Sequence, residues 1–133
     1  RQDQGWFGPS HRAPAVAPDF GMIPQADYKL FVSAFSKTGF AGVNAWYLND
    51  AANIEYAAEA RNFGYLDMPV LFFHGDLDVV CETVNSRLAD PMRADCRDLS
   101  EVRIQGGHFF MLERKEEVNL AMQDWLSEKG IEI

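Results

Sequence analysis

Positive charge is scarce in this sequence. Lys and Arg number 12 against 20 Asp and Glu, giving a net charge of −8. Nucleic acid and anionic membrane both require a basic face, so neither is an expected partner. Long apolar runs are also missing. None approaches the roughly 20 residues that a membrane-spanning helix needs. No signal peptide is expected, because Arg1-Gln2-Asp3-Gln4 has no apolar segment behind it. The start also lacks Met and reads as a cut or a processed end. Cysteine is rare: Cys81 and Cys96 stand alone, fifteen residues apart. Two cysteines make neither a disulfide scaffold nor a metal set. A bridge between them is possible across a predicted helix, with two reduced thiols as the default. The expected compartment is the cytoplasm, with secretion left open.

What is present is a globular composition. Of the 133 residues, 47% are apolar, enough for a core rather than a disordered chain. Residues 1 to about 20 are rich in Pro, Gly and Ala and read as an irregular arm, in which Trp6 and Phe7 are apolar enough to dock. Gln25 to Lys37 predicts a helix, because Tyr28, Phe31, Val32 and Phe35 make one stripe at helical spacing. Gly39 is its stop signal. Val43 to about Ala60 predicts a second helix carrying Trp46, Tyr47 and Tyr56. No internal repeat or low-complexity segment appears.

The second half is organised around Pro69 to Asp78. Val70 to Phe73 is a short apolar run between turn signals, which predicts a strand buried on both faces. His74, Gly75, Asp76 and Asp78 then fall at its carboxyl end, where open parallel sheets place their chemistry. A helix is predicted from Glu82 to about Leu88, a strand over Glu101 to Ile104, and a last helix over Glu113 to Glu128 ended by Gly130. Strand, helix, strand, helix is the end of a parallel sheet. Two parallel strands need both faces covered, so further strands are expected from elsewhere.

His108 stands thirty residues after Asp78, behind Gly106 and Gly107. A histidine base needs a carboxylate on its other ring nitrogen, and neighbouring strand ends can supply one. The competing reading is an Asp that caps the following helix and a His packed on Phe109 and Phe110. Asp76 competes as the acid, since alternation in an extended segment sends both aspartates to one side. His74 reads as structural. Tyr47 could donate a hydrogen bond to a developing alkoxide, although pattern alone makes an aromatic on a helix a core residue. An acid followed by a histidine matches the last two members of the nucleophile, acid, histidine order of α/β-hydrolases. The nucleophile is not in the chain.

At these residues the sequence resembles a family. Gly39-Phe40-Ala41-Gly42-Val43-Asn44-Ala45-Trp46-Tyr47 is similar to the cap-domain motif of the soluble-type epoxide hydrolases of α/β-hydrolase fold. Asp27 to Lys37 fits the same register, as do Met68-Pro69-Val70-Leu71 with Gly75 and Asp78, and Gly107-His108 followed by Glu113 and Val118. The resemblance covers about Gln25 to the C-terminus and implies the C-terminal half of such an enzyme. Residues 1–24 would be an irregular arm, 25–62 part of the helical cap, and 63–133 the last parallel strands and flanking helices of an α/β core. Tyr47 would match one of two cap tyrosines holding the epoxide oxygen, Asp78 the acid that orients the histidine, and His108 the base that activates water. Trp46, Phe40 and Phe109 would contact substrate. The implied reaction is epoxide to vicinal diol through an aspartyl ester, on a small hydrophobic epoxide, with no metal or other cofactor. The nucleophilic aspartate and oxyanion loop would belong to a partner chain carrying the N-terminal half. Haloalkane or haloacetate dehalogenase-like chemistry, a serine esterase, and a non-catalytic fragment needing a partner are the alternatives.

Overall fold

The computed structural model describes residues 8–10 and 12–131, so the expected docking of Trp6 and Phe7 lies outside the described residues. After a short 3-10 turn at Gly8–Ser10, the described residues have no regular element before Gln25. Three helices follow, α1 (Gln25–Thr38), α2 (Ala41–Leu48) and α3 (Asp50–Ala58). The single helix expected from Val43 to Ala60 is therefore two. Asn49 breaks it: its carbonyl accepts the Asn53 N–H at 3.0 Å and its side-chain amide donates to Asn53 Oδ1 at 3.0 Å. Asn is a residue that starts helices more readily than it continues them.

The second half begins with β1 (Leu66–Gly75), continues through α4 (Asp90–Asp95) to β2 (Cys96–Ile104), and ends with α5 (Phe110–Glu113) and α6 (Lys115–Glu128). The two strands pair in parallel from Leu66↔Cys96 to Gly75↔Ile104, with an irregularity between Leu66 and Pro69. Pro69 has no N–H for a ladder, so a bulge is where it fits. Together they form a mixed α/β arrangement on a two-stranded parallel sheet.

The helix expected over Glu82 to Leu88 is absent. Glu82 Oε1 instead accepts the N–H groups of Val84 at 2.9 Å and Asn85 at 2.7 Å, and the Ser86 hydroxyl bonds the Glu82 carbonyl. Local side-chain bonds of this kind compete with the helical ladder. The helix forms later, at Asp90–Asp95, where Pro91 stands in the first turn and its missing N–H costs nothing.

The last helix packs on β2 and carries the buried Val118. Trp125 Nε1–H donates to Ser100 Oγ at 3.0 Å and Lys129 Nζ to Asp98 Oδ1 at 2.6 Å. Gly130 closes α6 in the left-handed conformation (φ +65°). Its N–H reaches the Ser127 carbonyl, and that of Ile131 reaches Leu126, a Schellman closure.

The core of the described residues is small: Ala89, Ile104 and Val118 are its buried apolar side chains. Val70 to Phe73 are only half-buried, against the expectation of a strand covered on both faces. Tyr28, Phe31 and Val32 on the α1 stripe are exposed. The chain presents 11240 Å² of accessible surface, where a compact fold of its mass presents about 7,000 Å². No helix among the described residues is long and apolar enough to cross a membrane.

Ile104→Val is expected to cost about 0.5–1.5 kcal/mol, read as a lower urea midpoint at unchanged slope. Val79→Ala, at an exposed position, is expected to change stability by less than about 0.5 kcal/mol. Equal shifts for the two variants would show that Ile104 is not part of the core.

Candidate functional site

The site lies where the two parallel strands end. Beyond β1 the Asp76 N–H donates to the Ile104 carbonyl at 2.9 Å, and the Leu77 N–H to the Gly106 carbonyl at 3.0 Å. The loop after β1 is thus sewn to the loop after β2 by main-chain bonds. Gly75 is the close approach that permits this. A Cβ there would stand 2.8 Å from the Gly107 carbonyl oxygen and 3.1 Å from that of Gly106. Real Cβ atoms do not approach backbone so closely, so only glycine fits.

Between the loops, His108 Nδ1 stands 3.0 Å from Asp78 Oδ2 and 3.2 Å from Oδ1. A carboxylate only accepts, so Nδ1 carries the hydrogen and donates. In that tautomer the lone pair sits on Nε2, the atom able to take a proton from water. Among the described residues Nε2 has no hydrogen-bond partner. Asp78 is buried, while the His108 side chain is 39% exposed. The acid is fixed and the imidazole can meet solvent or substrate.

Asp78 does more than orient the ring. Its Oδ1 also accepts the N–H groups of Val80 at 2.8 Å and Cys81 at 2.9 Å. Burial works against its charge, but the Cys81 N–H, the His108 imidazole and the Val80 N–H together outweigh burial. They hold the carboxyl below its ordinary value.

Asp76 does not compete for His108. Its Oδ1 accepts Arg103 Nε–H at 2.7 Å. The extended alternation expected to put both aspartates on one side fails because Asp76 to Asp78 is a turn, closed by the Asp78 N–H on the Gly75 carbonyl at 3.2 Å.

His74 is buried and has its own partners. Its Nε2 donates to Glu101 Oε1 at 2.9 Å, and its Nδ1 stands 2.8 Å from Thr83 Oγ1. Glu101 Oε1 also takes Arg93 Nη2 at 2.7 Å. The Arg93 hydrogen bond, more than the His74 contact, holds the Glu101 carboxyl below its ordinary range against burial. This network ties the base of the Asp78 loop to β2.

Of the remaining residues named from the sequence, Phe109 stands edge-on to the His108 ring, centroids 4.9 Å apart, and is itself exposed. Phe40 stacks on Phe35 at 4.7 Å and helps line an apolar recess with Phe31 and Val32. Trp46 and Tyr47 lie on α2 with their rings about 70% exposed. The Tyr47 phenol has no hydrogen bond among the described residues. The structure therefore brings Asp78, His108 and Phe109 together and leaves Phe40, Trp46 and Tyr47 on the helical side.

Sequence reasoning gave no site role to Glu113 or Cys81. Glu113 Oε2 accepts the Gly107 N–H at 2.9 Å and braces the histidine loop from α5. An acid six residues after a glycine carries no readable signal of that. Cys81, a free cysteine with Cys96, brings its sulfur close to Asp78 and His108. One donor atom from each of the three lies within 4.8 Å of the others.

With this geometry established, one relative bears on it. The chain is 32% identical over 124 residues to epoxide hydrolase A of Mycobacterium tuberculosis, covering 92% of this chain and 37% of that protein. The relationship is to a hydrolase. The chain spans little more than a third of that relative's length. No protein-family profile matches the chain, and no solved structure matches it.

The Asp78 carboxyl is held below its unfolded value of about 3.9. Its contribution to stability is therefore present above that pH and is lost as pH falls through the lower folded value. Acid unfolding followed by circular dichroism should show this loss, and Asp78→Asn should flatten the curve below about pH 4. An unchanged acid limb in Asp78→Asn would remove Asp78 as a source of it.

Proposed function

We propose that this chain is the C-terminal part of an α/β-hydrolase that converts an epoxide to a vicinal diol. Residues 25–62 would belong to its helical cap and 63–133 to its core. The carrying observation is the buried Asp78 carboxylate on His108 Nδ1, at the carboxyl ends of two parallel strands. The similarity to an epoxide hydrolase supports this choice of reaction.

The nucleophile is a carboxylate outside this chain. It attacks an epoxide carbon, the C–O bond breaks, and an ester to the enzyme forms while the ring oxygen leaves as an alkoxide. The Tyr47 phenol, exposed and without an internal partner, donates to that oxygen. His108 Nε2 then takes a proton from water as the water oxygen attacks the ester carbonyl. The ester C–O bond breaks, and the imidazolium gives its proton to the departing diol oxygen. The water's other proton passes to the former ring oxygen as the carboxylate re-forms and the diol is released. Asp78 stabilises the imidazolium during that step. Phe109, Phe40 and Trp46 supply an apolar surface suited to a hydrophobic epoxide.

The partner is a chain carrying the N-terminal half, with the nucleophile and oxyanion donors. The accessible surface, well above that of a compact fold, and the half-covered β1 support a missing neighbour. Native mass spectrometry of the purified protein tests this. A second chain of comparable size supports the reading, and a stable lone species of about 15.0 kDa opposes it.

In the assembled enzyme, styrene oxide should yield its diol. Tyr47→Phe should lower kcat/KM on the order of 10²-fold, with folding unchanged. His108→Gln should trap the ester, seen as protein mass increased by one epoxide. Full turnover by Tyr47→Phe removes Tyr47 from the mechanism. Absence of the adduct in His108→Gln opposes the two-step path.

A further inference from the structure

Cys81 is the reactive group beside the pair that the proposed hydrolysis does not use. Its main-chain N–H binds the Asp78 carboxylate, while its residue is exposed. The Cys81 sulfur, a carboxylate oxygen of Asp78 and an imidazole nitrogen of His108 lie within 4.8 Å of one another. The two loops that present them are joined by the Asp76–Ile104 and Leu77–Gly106 main-chain bonds. A thiolate, a carboxylate and an imidazole are the donor types zinc takes, at about 2.3, 2.0–2.2 and 2.0–2.1 Å. In a tetrahedral shell these lengths put donors about 3.4–3.6 Å apart. The Asp78–His108 pair is already near that spacing at 3.0 Å, and closing the shell requires the exposed Cys81 sulfur to move in by side-chain rotation. Cys81 as thiolate and Asp78 as carboxylate together carry the charge that a divalent cation neutralises. The buried His74–Glu101 pair offers no such site, since Arg93 already occupies the same carboxylate oxygen.

We infer that Asp78, Cys81 and His108 form a three-ligand zinc site that silences the hydrolytic pair. The binding stands on the geometry. The silencing rests on the hydrolytic reading above. On coordination the thiol releases its proton to solvent. If Nδ1 is the ligand, the ring proton moves to Nε2 and the base is lost; if Nε2 is the ligand, the base is blocked. Zinc is therefore an inhibitor here.

Cobalt(II) is the probe, added alone to the full chain. The expected spectrum has a near-ultraviolet thiolate-to-cobalt band and intense visible bands of tetrahedral type, both removed by one equivalent of zinc. Cys81→Ser should abolish the near-ultraviolet band and weaken zinc binding by more than the roughly 10–100-fold that outer-shell residues contribute. Cys96→Ser should change neither. In the assembled enzyme Cys81→Ser should keep epoxide turnover and lose zinc sensitivity. No thiolate band, or one that survives Cys81→Ser, overturns the site. The spectrum needs no substrate. The band without diol formation keeps the site and rejects the hydrolytic reading; diol formation without the band does the reverse.

Discussion

The Asp78–His108 pair depends on where two parallel strands stop. β1 and β2 run in register to Gly75↔Ile104, and their outgoing loops continue the pairing for one more step through the Asp76 and Leu77 N–H groups. That extra step replaces solvent with backbone between the loops. It puts a carboxylate from one against an imidazole from the other. Asp78 stays charged despite burial because two N–H groups and His108 share it. The His74–Glu101–Arg93 network holds the same two strands a turn lower. Glu113 holds the far side of the histidine loop. The pair is thus braced by charge-assisted contacts on two sides, where each bond is stronger than a neutral one.

The surface tells the complementary story. Chains of this mass normally hide more of themselves. Here α1 shows the stripe of aromatic residues that its sequence periodicity predicts to face a core. The stripe forms, but the described residues do not cover it. β1 is flanked on one edge by β2 and its apolar residues are half open. The amphipathic pattern and the exposed area support the proposed hydrolase, in which other parts of the sheet and cap would cover these faces.

Much of this architecture is legible in the sequence, for definite physical reasons. α1 and α6 announce themselves because one apolar stripe serves one face. β1 is visible as an apolar run between turn signals. The first half of β2 is not, because Asp98 and Ser100 are polar, and what they meet, Lys129 just beyond α6 and Trp125 on it, lies 31 and 25 residues away. The helix over Glu82 to Leu88 fails because Glu82 spends its carboxylate on its own backbone neighbours. The nearness of Asp78 to His108 was readable from order and strand ends. The choice of Asp78 over Asp76 was not, since it depends on a turn and on an arginine across the sheet. The placement of Tyr47, Trp46 and Phe40 relative to the pair depends on the helices, whose faces the described chain leaves open.

The main-chain stitching of the two loops leaves the intervening side chains unburdened. Leu77 and Val79 project from the segment that carries Asp78, yet both are exposed, and the Asp76 and Leu77 N–H bonds that join the two loops belong to peptide groups. Substitutions at these two positions therefore leave the bonds that join the loops in place. Different side-chain shapes can then surround an unchanged Asp78–His108 pair.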